Sequence, residues 1–190
     1  SGDTKVTDLL YKCYGQAILD DDREEDFEEI LKVIKDRYDS IINGLELTIS
    51  LDDEFKTIRE NFSKKIGRDY AASRGEYLNG IIMAAYLGYE FIDAAEVIFF
   101  DEEGEFDAEK TNEVLSERLA HTERAVIPGF YGSNPDGTIH TFSRGGSDIT
   151  GSIVARAVHA DMYENWTDVS GFLIADPRII KNPKAIDVIT

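Results

Sequence analysis

Residues 141–150, with the sequence TFSRGGSDIT, combine the residue types best suited to chemistry in this chain. Two adjacent glycines, Gly145 and Gly146, allow a tight turn and a close approach of the backbone to a ligand. Ser147 is a preferred N-cap residue and an apolar run at helical spacing follows it, so the block predicts a strand, a glycine turn and a helix start. The unpaired N–H groups at such a helix start form an anion-binding site.

Two charged residues lie on either side of this predicted turn. Arg144 carries a planar fork of donors that suits a carboxylate or a phosphate. Asp148 adds a carboxylate in the same place, and the mixture indicates a reaction centre in which charge must be balanced. A structural interpretation stays open, in which Asp148 complements the helix dipole and Arg144 is solvated, because short glycine motifs often arise by chance.

A second block, Ser73-Arg74-Gly75-Glu76, opens another predicted helix. Ser73 and Glu76 have capping-box spacing, so the structural hypothesis is that Glu76 reaches back to the backbone N–H of Ser73. Gly75 is unusual in such a helix, because glycine lowers helix stability, and it suggests close approach by a ligand or another backbone. From the residues alone, the capping role is the favoured interpretation of Glu76.

Hydrophobic periodicity predicts a helical first third, followed by strands that alternate with helices. Asn43-Gly44 is predicted to close the second helix as a left-handed cap. The alternation favours an α/β sheet that is at least partly parallel, with the helical part packed on it as a layer or lid. The predicted helices span residues 4–17, 23–42, 51–66, 73–88, 107–119 and a stretch from 147 onward, and the predicted strands span residues 96–100, 124–128, 138–142 and 161–166.

Length and composition restrict the class of protein. The 190 residues fit one domain, and a hydrophobic content of 42% can form a real core. A formal net charge of −18 argues against nucleic acid and anionic membrane surfaces as partners, although a local basic cluster with a metal ion could still bind a nucleotide. The single Cys13 cannot form an internal disulfide, and its place on an apolar helical stripe indicates a buried thiol in a reducing compartment.

Several other signals are absent from the sequence. His121, His140 and His159 lack the spacing of metal ligands, so no metal site made by protein residues is predicted. There is no signal peptide and no apolar run of membrane-spanning length, which predicts a cytoplasmic protein. There is also no Walker loop, no dinucleotide-binding fingerprint and no Ser-His-Asp or Cys-His pairing in a plausible context.

Three predicted strand exits carry unusual residues. They lead into residues 129–132 (GFYG), residues 143–148 (SRGGSD) and residues 166–171 (WTDVSG), the last running on into residues 175–178 (ADPR). Because ligands of open α/β sheets bind outside the carboxyl ends of the strands, the three exits together predict one binding site. Turn formation accounts for Thr167-Asp168 and for Asp176-Pro177-Arg178 individually, but it does not explain why they share one edge.

These blocks, in this order, resemble those of the aspartokinases in the amino-acid kinase superfamily. The shared pieces are Ser73-Arg74-Gly75-Glu76 and the three exit segments, and they cover the chain from about residue 70 to its end. The resemblance implies a carbamate kinase-like α/β fold, which is a three-layer αβα sandwich with a largely parallel sheet, here truncated, plus an N-terminal helical layer. It divides the chain into a helical subregion, residues 1–68, and the α/β core of the kinase domain, residues 69–190.

The resemblance also implies phosphoryl transfer from ATP to the β-carboxylate of L-aspartate, the first step toward lysine, threonine and methionine. Such chemistry depends on positioning and on neutralising spread negative charge. Arg144 is then expected to clamp a substrate carboxylate, and Glu76 to pair with the α-amino group, which replaces its capping role. Gly145, Gly146 and Ser147 would present donors to aspartate or to the moving phosphoryl group, and Asp148 would orient the active-site cation.

The nucleotide side of the site follows from the same resemblance. Mg²⁺ is expected because it bridges the phosphates of ATP. Ser170 stands where the family usually has aspartate, and Leu173 where it often has tyrosine. The implied partners are L-aspartate, ATP and further copies of the full-length protein in a homo-oligomer. The implied nucleotide-site residues are Trp166, Thr167, Asp168, Leu173 and Arg178.

Two features of the family are not found in this sequence. They are the lysine-phenylalanine-glycine-glycine loop that holds the phosphates and the C-terminal pair of small ligand-binding (ACT) domains. We therefore expect a central aspartokinase segment that is inactive or weak in this form, with an unpaired sheet edge that promotes self-association. Three alternatives stay open: a non-enzymatic module that binds a nucleotide or an amino acid, another member of the superfamily, and a structural or regulatory fragment that binds no ligand.

Overall fold

The computed structural model describes residues 4–19, 24–143, 145–166, 174–175 and 179–184. Within these ranges four helices precede the first strand, and the later helices are interspersed with short strands, as an α/β fold with an N-terminal helical layer requires. The helices are α1 (Val6–Ile18), α2 (Glu24–Gly44), α3 (Asp52–Ser63), α4 (Arg68–Leu87), α5 (Ala94–Val97), α6 (Ala108–Ala120) and α7 (Gly146–Ala157), and the strands are β1 (Glu90–Phe91), β2 (Ala125–Val126), β3 (Tyr131–Ser133) and β4 (Ile139–Thr141).

The first four helices pack around one apolar cluster. Each carries apolar residues at helical spacing, so packing buries one stripe of every helix. The rings of Tyr14 and Tyr70 stand edge-on to Phe62, with centroid distances of 5.4 and 6.1 Å. Cys13 is buried in this cluster, as predicted, and burial raises the pKa of its thiol to about 12, so the thiol stays protonated.

The end of α2 differs from the prediction. The helix continues through Gly44, and Glu46, with a φ of 55°, takes the left-handed position that was expected of Asn43-Gly44. The Leu47 N–H donates to the Ile42 carbonyl over 3.0 Å and closes the helix. Because Leu47 packs against the apolar cluster, this hydrophobic contact decides where the helix ends, and the glycine does not.

The start of α4 also differs from the prediction. The helix begins at Arg68, so Ser73 and Glu76 lie in its interior and the predicted capping box is wrong. The Ser73 hydroxyl instead donates to the Tyr70 carbonyl over 2.8 Å. Residues 68–72 include good helix formers and extend the helix upstream, so that the orphan N–H groups of its first turn lie well before Glu76.

In the described residues, the β structure consists of two short pairs of strands. β1 pairs with β2 in parallel and β3 pairs with β4 in antiparallel orientation. A parallel bridge between Phe99 and Ser133 adds a further contact to β3. The predicted strands 124–128 and 138–142 are present with narrower bounds, whereas β3 lies in a segment that was predicted as a loop.

Two other strand predictions are wrong in detail. Residues 94–97 form α5, because Asp93 caps this short helix by accepting the Ala95 N–H at Oδ1 over 3.0 Å. Only Phe99 and Phe100 of the predicted strand 96–100 make bridges. Residues 161–166 form no strand, and all of them are exposed.

A second apolar cluster joins α5, α6 and α7 to the strands. Tyr77 of α4 packs against both clusters, and its ring stands edge-on to Phe91 at a centroid distance of 5.4 Å. α4 therefore connects the helical layer to the part of the chain that contains the strands. In the described ranges, no helix has both the length and the apolar character needed to cross a membrane.

Two buried glycines test this packing. A Cβ added to Gly75 would lie 3.7 Å from the nearest side chains, those of Val6 and Leu10, whereas a Cβ on Gly132 would lie 2.4 Å from the Ile98 carbonyl oxygen. We expect Gly75→Ala to raise the free energy of unfolding by roughly 0.5–1 kcal/mol, because alanine favours a helix interior. Gly132→Ala should lower it by about 1–3 kcal/mol, because the backbone of β3 must move away from Ile98. Urea unfolding measures both changes, and a destabilised Gly75→Ala protein would contradict the packing of α4.

Candidate functional site

The glycine turn ahead of α7 forms, but the helix starts earlier than predicted. Gly145, with a φ of 62°, occupies the N-cap position and α7 begins at Gly146, so the N-cap predicted at Ser147 is wrong by two residues. Glycine adopts this left-handed conformation at little cost, which allows the helix to start without a side-chain cap. The first intrahelical bond runs from the Ile149 N–H to the Gly145 carbonyl over 2.9 Å. The N–H groups of Gly146, Ser147 and Asp148 therefore lack intrahelical partners, which is the arrangement of an anion site.

Residues 129–132 pack directly against this turn. A Cβ added to Gly146 would lie 2.6 Å from the Cβ of Phe130, and one added to Gly129 would lie 3.0 Å from the Cα of Ser147. Phe130 has a φ of 69°, and its N–H donates to the Thr150 hydroxyl over 3.1 Å. That hydroxyl donates to the Gly146 carbonyl over 2.8 Å. The structure therefore brings the first two strand exits together.

The chain after α7 folds back onto that helix just before the third predicted exit, of whose first part, residues 166–171, only Trp166 is described. The Tyr163 hydroxyl lies only 2.3 Å from the position of a Cβ added to Gly151. Two residues later, Asn165 Nδ2 donates to Asp148 Oδ1 over 3.0 Å. Asp148 also lines a cleft of about 390 Å³ between α6 and α7. Trp166, which was predicted for the nucleotide site, follows directly and is 87% exposed.

Glu76 has the properties of a carboxylate that needs a partner. Its Oε2 is buried and has no hydrogen-bond partner among the described residues. Burial raises the pKa of this carboxyl above the ordinary glutamate value, because desolvation disfavours the charged form. The nearby Tyr38 hydroxyl donates to the Gly75 carbonyl over 2.9 Å, so its proton does not satisfy Glu76. Burial, together with the charge of Glu76, also raises the pKa of Tyr38.

Arg74 is a charged residue whose environment the sequence analysis missed. Its side chain is only 5% exposed, and its guanidinium stacks near three rings, with centroid distances of 4.5 Å to Tyr70, 4.3 Å to Tyr77 and 5.5 Å to Tyr131. Nε and Nη2 both donate to the Ser73 hydroxyl, over 3.1 and 2.9 Å. Because Tyr70 and Tyr77 stand four residues before and three after Arg74, helical spacing could have revealed this cage.

The link between α4 and the glycine turn is indirect in the described residues. Asp69 Oδ2 accepts the Thr141 N–H over 3.1 Å and ties α4 to β4. Arg74 contacts Tyr131, the residue after the loop that packs on Gly146. Glu76 makes no hydrogen bond or ion pair with Gly145–Asp148 within the described part of the chain. The helix α4 nevertheless carries Glu76 and contacts both β3 and β4, the strands on either side of the site.

The remaining predicted site residues fall outside the described ranges. They are Arg144, Thr167, Asp168, Leu173 and Arg178, and their roles stay predictions. Of the predicted residues that are described, the structure groups Gly145, Gly146, Ser147 and Asp148 at one helix terminus.

The described donors fit ATP and Mg²⁺. No group of three or more His, Cys, Asp or Glu side chains in the described ranges could hold a metal ion by itself. Mg²⁺ that is bound with a nucleotide usually takes only one or two protein carboxylates, together with phosphates and waters. Asp148 provides one such carboxylate, with Oδ2 unpartnered among the described residues, beside N–H groups that suit a phosphate.

Known proteins that are similar to this chain share one family. The sequence model of the amino acid kinase family matches residues 1–190. Aspartokinase 3 of Bacillus subtilis is 36% identical over 203 residues, covering 99% of this chain and 44% of that protein. The aspartokinase of Rickettsia conorii is 28% identical and is matched over 94% of this chain and 48% of its own length.

Solved structures show the same relationship. The aspartate kinase of Clostridium acetobutylicum superposes with a TM-score of 0.85 at 51% identity, over 97% of this chain and 42% of that one. Aspartokinase III of Escherichia coli shares the fold, with a TM-score of 0.78 at 24% identity over 98% of this chain and 45% of its own. The chain thus spans somewhat less than half the length of these relatives. With a family match along its whole length and the fold of solved aspartate kinases, the chain belongs to the amino acid kinase family.

Proposed function

We propose that this chain is the part of an aspartokinase that binds L-aspartate and directs the γ-phosphoryl group of ATP to its β-carboxylate, giving 4-phospho-L-aspartate. The observation that carries the proposal is the buried Oε2 of Glu76, which has no partner among the described residues. A carboxylate withdrawn from water needs a cationic partner, and the ammonium group of an amino acid supplies one. The similar aspartokinases, and the E. coli structure solved with aspartate and ADP, support this choice of substrate.

The residues around the glycine turn would act on the acidic groups of the reactants. Arg144 would clamp a carboxylate of aspartate, while the N–H groups of Gly145, Gly146 and Ser147 would donate to the substrate or to the transferred group. These donors are fixed before the reaction, so they stabilise developing negative charge without reorganisation. Asp148 would orient the cation that accompanies the nucleotide.

The nucleotide would lie on the side of the site reached by the segment after α7. Mg²⁺ bound to ATP supplies neutralisation of the phosphate charges. The residues proposed to contact ATP are Trp166, Thr167, Asp168, Leu173 and Arg178.

The wider setting of the chain is also a proposal. We propose a helical subregion over residues 1–68 and an α/β core over residues 69–190, within a single kinase domain of a cytoplasmic enzyme. The full-length protein would form a homo-oligomer and serve the synthesis of lysine, threonine and methionine. α4 would join the two subregions, because Tyr77 contacts both apolar clusters.

Trapping of an acyl phosphate tests the proposed reaction. With ATP, Mg²⁺ and L-aspartate, this chain should give little hydroxamate, because its sequence contains no lysine-phenylalanine-glycine-glycine loop to neutralise the phosphates. The same chain fused behind the N-terminal strand and loop typical of aspartokinases should give aspartate-dependent hydroxamate. Glutamate and uridylate serve as control acceptors, and transfer to either of them without transfer to aspartate would identify another kinase of the superfamily. Ligand binding without any turnover by the fused protein would indicate a non-enzymatic module.

Replacing Glu76 by glutamine separates binding from stability. The fused protein should lose about 10- to 100-fold in its affinity for aspartate, the effect of losing one hydrogen bond between charged groups. The stability of the fold should change in the opposite direction and increase. Because the folded pKa of Glu76 lies above its unfolded value, the charged carboxylate destabilises the fold at neutral pH, so Glu76→Gln should raise the melting temperature.

The pH dependence checks the origin of this stabilisation. Wild-type stability relative to Glu76→Gln should fall as the pH rises from the ordinary glutamate range through the raised pKa, and the two proteins should converge below that range. Glu60→Gln, a change of the same type at an exposed position of α3, is the matched control and should alter neither property. A Glu76→Gln protein that binds aspartate normally would remove the basis of the substrate assignment.

A further inference from the structure

The segment after α7 folds back along that helix and touches it at two points. The Tyr163 ring occupies the space above Gly151, where an added Cβ would lie 2.3 Å from the hydroxyl and 2.7 Å from Cζ. Asn165 then donates its side-chain amide to Asp148 Oδ1 over 3.0 Å. The two contacts are two residues apart in the segment and three apart in the helix. The segment therefore runs antiparallel to the first turns of α7.

Asn165 is the only side chain that donates to the Asp148 carboxylate among the described residues. Asp148 has no other restraint on its carboxylate there, because the contact of Ser152 is to the Asp148 carbonyl. A carboxylate in the first turn of a helix is free to rotate unless a neighbour fixes it. The amide of Asn165 holds Oδ1 and so leaves Oδ2 as the oxygen available to a cation.

We propose that Asn165 is a positioning residue, which orients the Asp148 carboxylate toward the metal-nucleotide while Tyr163, seated on Gly151, holds the segment in place. This inference rests on the proposed function, since it assigns to Asp148 the orientation of the cation. It extends that function by coupling the residue that orients the cation to the segment that leads into Trp166 and the proposed nucleotide site. Residues that orient metal-binding carboxylates in this way commonly affect activity strongly although they do not touch the substrate.

The exposure of these residues makes the proposal testable. Asn165 and Asp148 are both exposed, and an exposed polar contact adds little to the stability of a fold. We therefore expect the loss of this contact alone to change the melting temperature little, whereas a mainly structural role for Asn165 would appear as a large fall in melting temperature. A positioning role would appear in turnover and in the requirement for Mg²⁺, with the melting temperature almost unchanged.

The experiment compares Asn165→Leu and Asn165→Asp with the wild type, all in the fused protein that carries the phosphate loop. Leucine removes the donor at similar volume, and aspartate replaces it with a second carboxylate facing Asp148. We expect kcat to fall about tenfold in Asn165→Leu and further in Asn165→Asp, with little change in KM for aspartate. The Mg²⁺ concentration needed for half-maximal ADP binding should rise several-fold in both variants. Asn165→Gln, which keeps the amide, should recover part of the loss.

A second readout does not depend on turnover. Trp166 is the only tryptophan of the chain, so its fluorescence anisotropy without ligands reports the freedom of the segment next to Asn165. Gly151→Ala, which displaces the Tyr163 ring, and Asn165→Leu should both lower the anisotropy. Asp161→Asn, at an exposed position of the same segment, is the matched control and should resemble the wild type in every measurement.

The outcomes distinguish the two proposals. Aspartate-dependent turnover that is the same in wild type and in the Asn165 variants, with an equal Mg²⁺ requirement, would overturn the positioning role and leave the proposed function intact. A wild type that binds ADP with Mg²⁺ but never phosphorylates aspartate would overturn the proposed function, and the Mg²⁺ titration would still decide the role of Asn165. A large fall in melting temperature in Asn165→Leu would also contradict the proposal, because it would show that the contact is mainly structural.

Discussion

The site depends on one close contact between two backbones. The start of α7 and the loop before β3 approach so closely that a Cβ at Gly146 would lie 2.6 Å from the Cβ of Phe130, and a Cβ at Gly129 would lie 3.0 Å from the Cα of Ser147. This contact aligns the N–H groups at the start of α7 with the exit of a neighbouring strand, and the hydroxyl of Thr150 locks it by bonding to both partners. A side chain at either glycine would push the helix terminus away from the sheet, and the donors would no longer face the edge where ligands of α/β folds bind.

The helix α4 contributes two charged side chains, Arg74 and Glu76, that are largely shielded from water. Arg74 is stabilised in its cage by ring faces and by the Ser73 hydroxyl, so the fold satisfies this buried cation internally. Glu76 is treated differently, because its Oε2 is left without a partner in the described residues. The two charged residues of this helix thus differ in how the described residues satisfy them, and this difference is the basis for proposing a ligand-binding role for Glu76. The hydrogen bond of Asp69 and the contacts of α4 with both apolar clusters offset the cost of burying the Glu76 carboxylate.

Sequence patterns predicted the helical layer and the α/β class because burial of apolar stripes dominates those choices, as for the stripe around Phe62. They failed where one local conformation decided the outcome. Gly145 starts α7 through a left-handed backbone, which favours no particular capping side chain. α2 ends through a left-handed Glu46 and a hydrogen bond from Leu47 to Ile42, with Leu47 packed on the apolar cluster, and the glycine that signalled the end in the sequence does not take the left-handed position. Ser73 and Glu76 have the spacing of a capping box, but the helix-forming residues upstream extend α4 to Arg68, so the two residues lie in the helix interior.

The net charge of −18 limits the binding of anionic ligands, because such a protein repels a nucleoside triphosphate at long range. At physiological ionic strength the screening length is about 8 Å, so distant carboxylates contribute little at the binding site and nearby groups decide the field. Among the described residues, the groups at the start of α7 are three N–H donors and one carboxylate, Asp148, and this carboxylate attracts an anion only when a cation lies between them. In the proposed function, a metal ion bound with the nucleotide would offset the repulsion between Asp148 and the phosphates, in addition to the cationic side chains proposed at Arg144 and Arg178. Under that proposal, the orientation of the exposed Asp148 carboxylate would matter more here than it would in a protein with a basic surface.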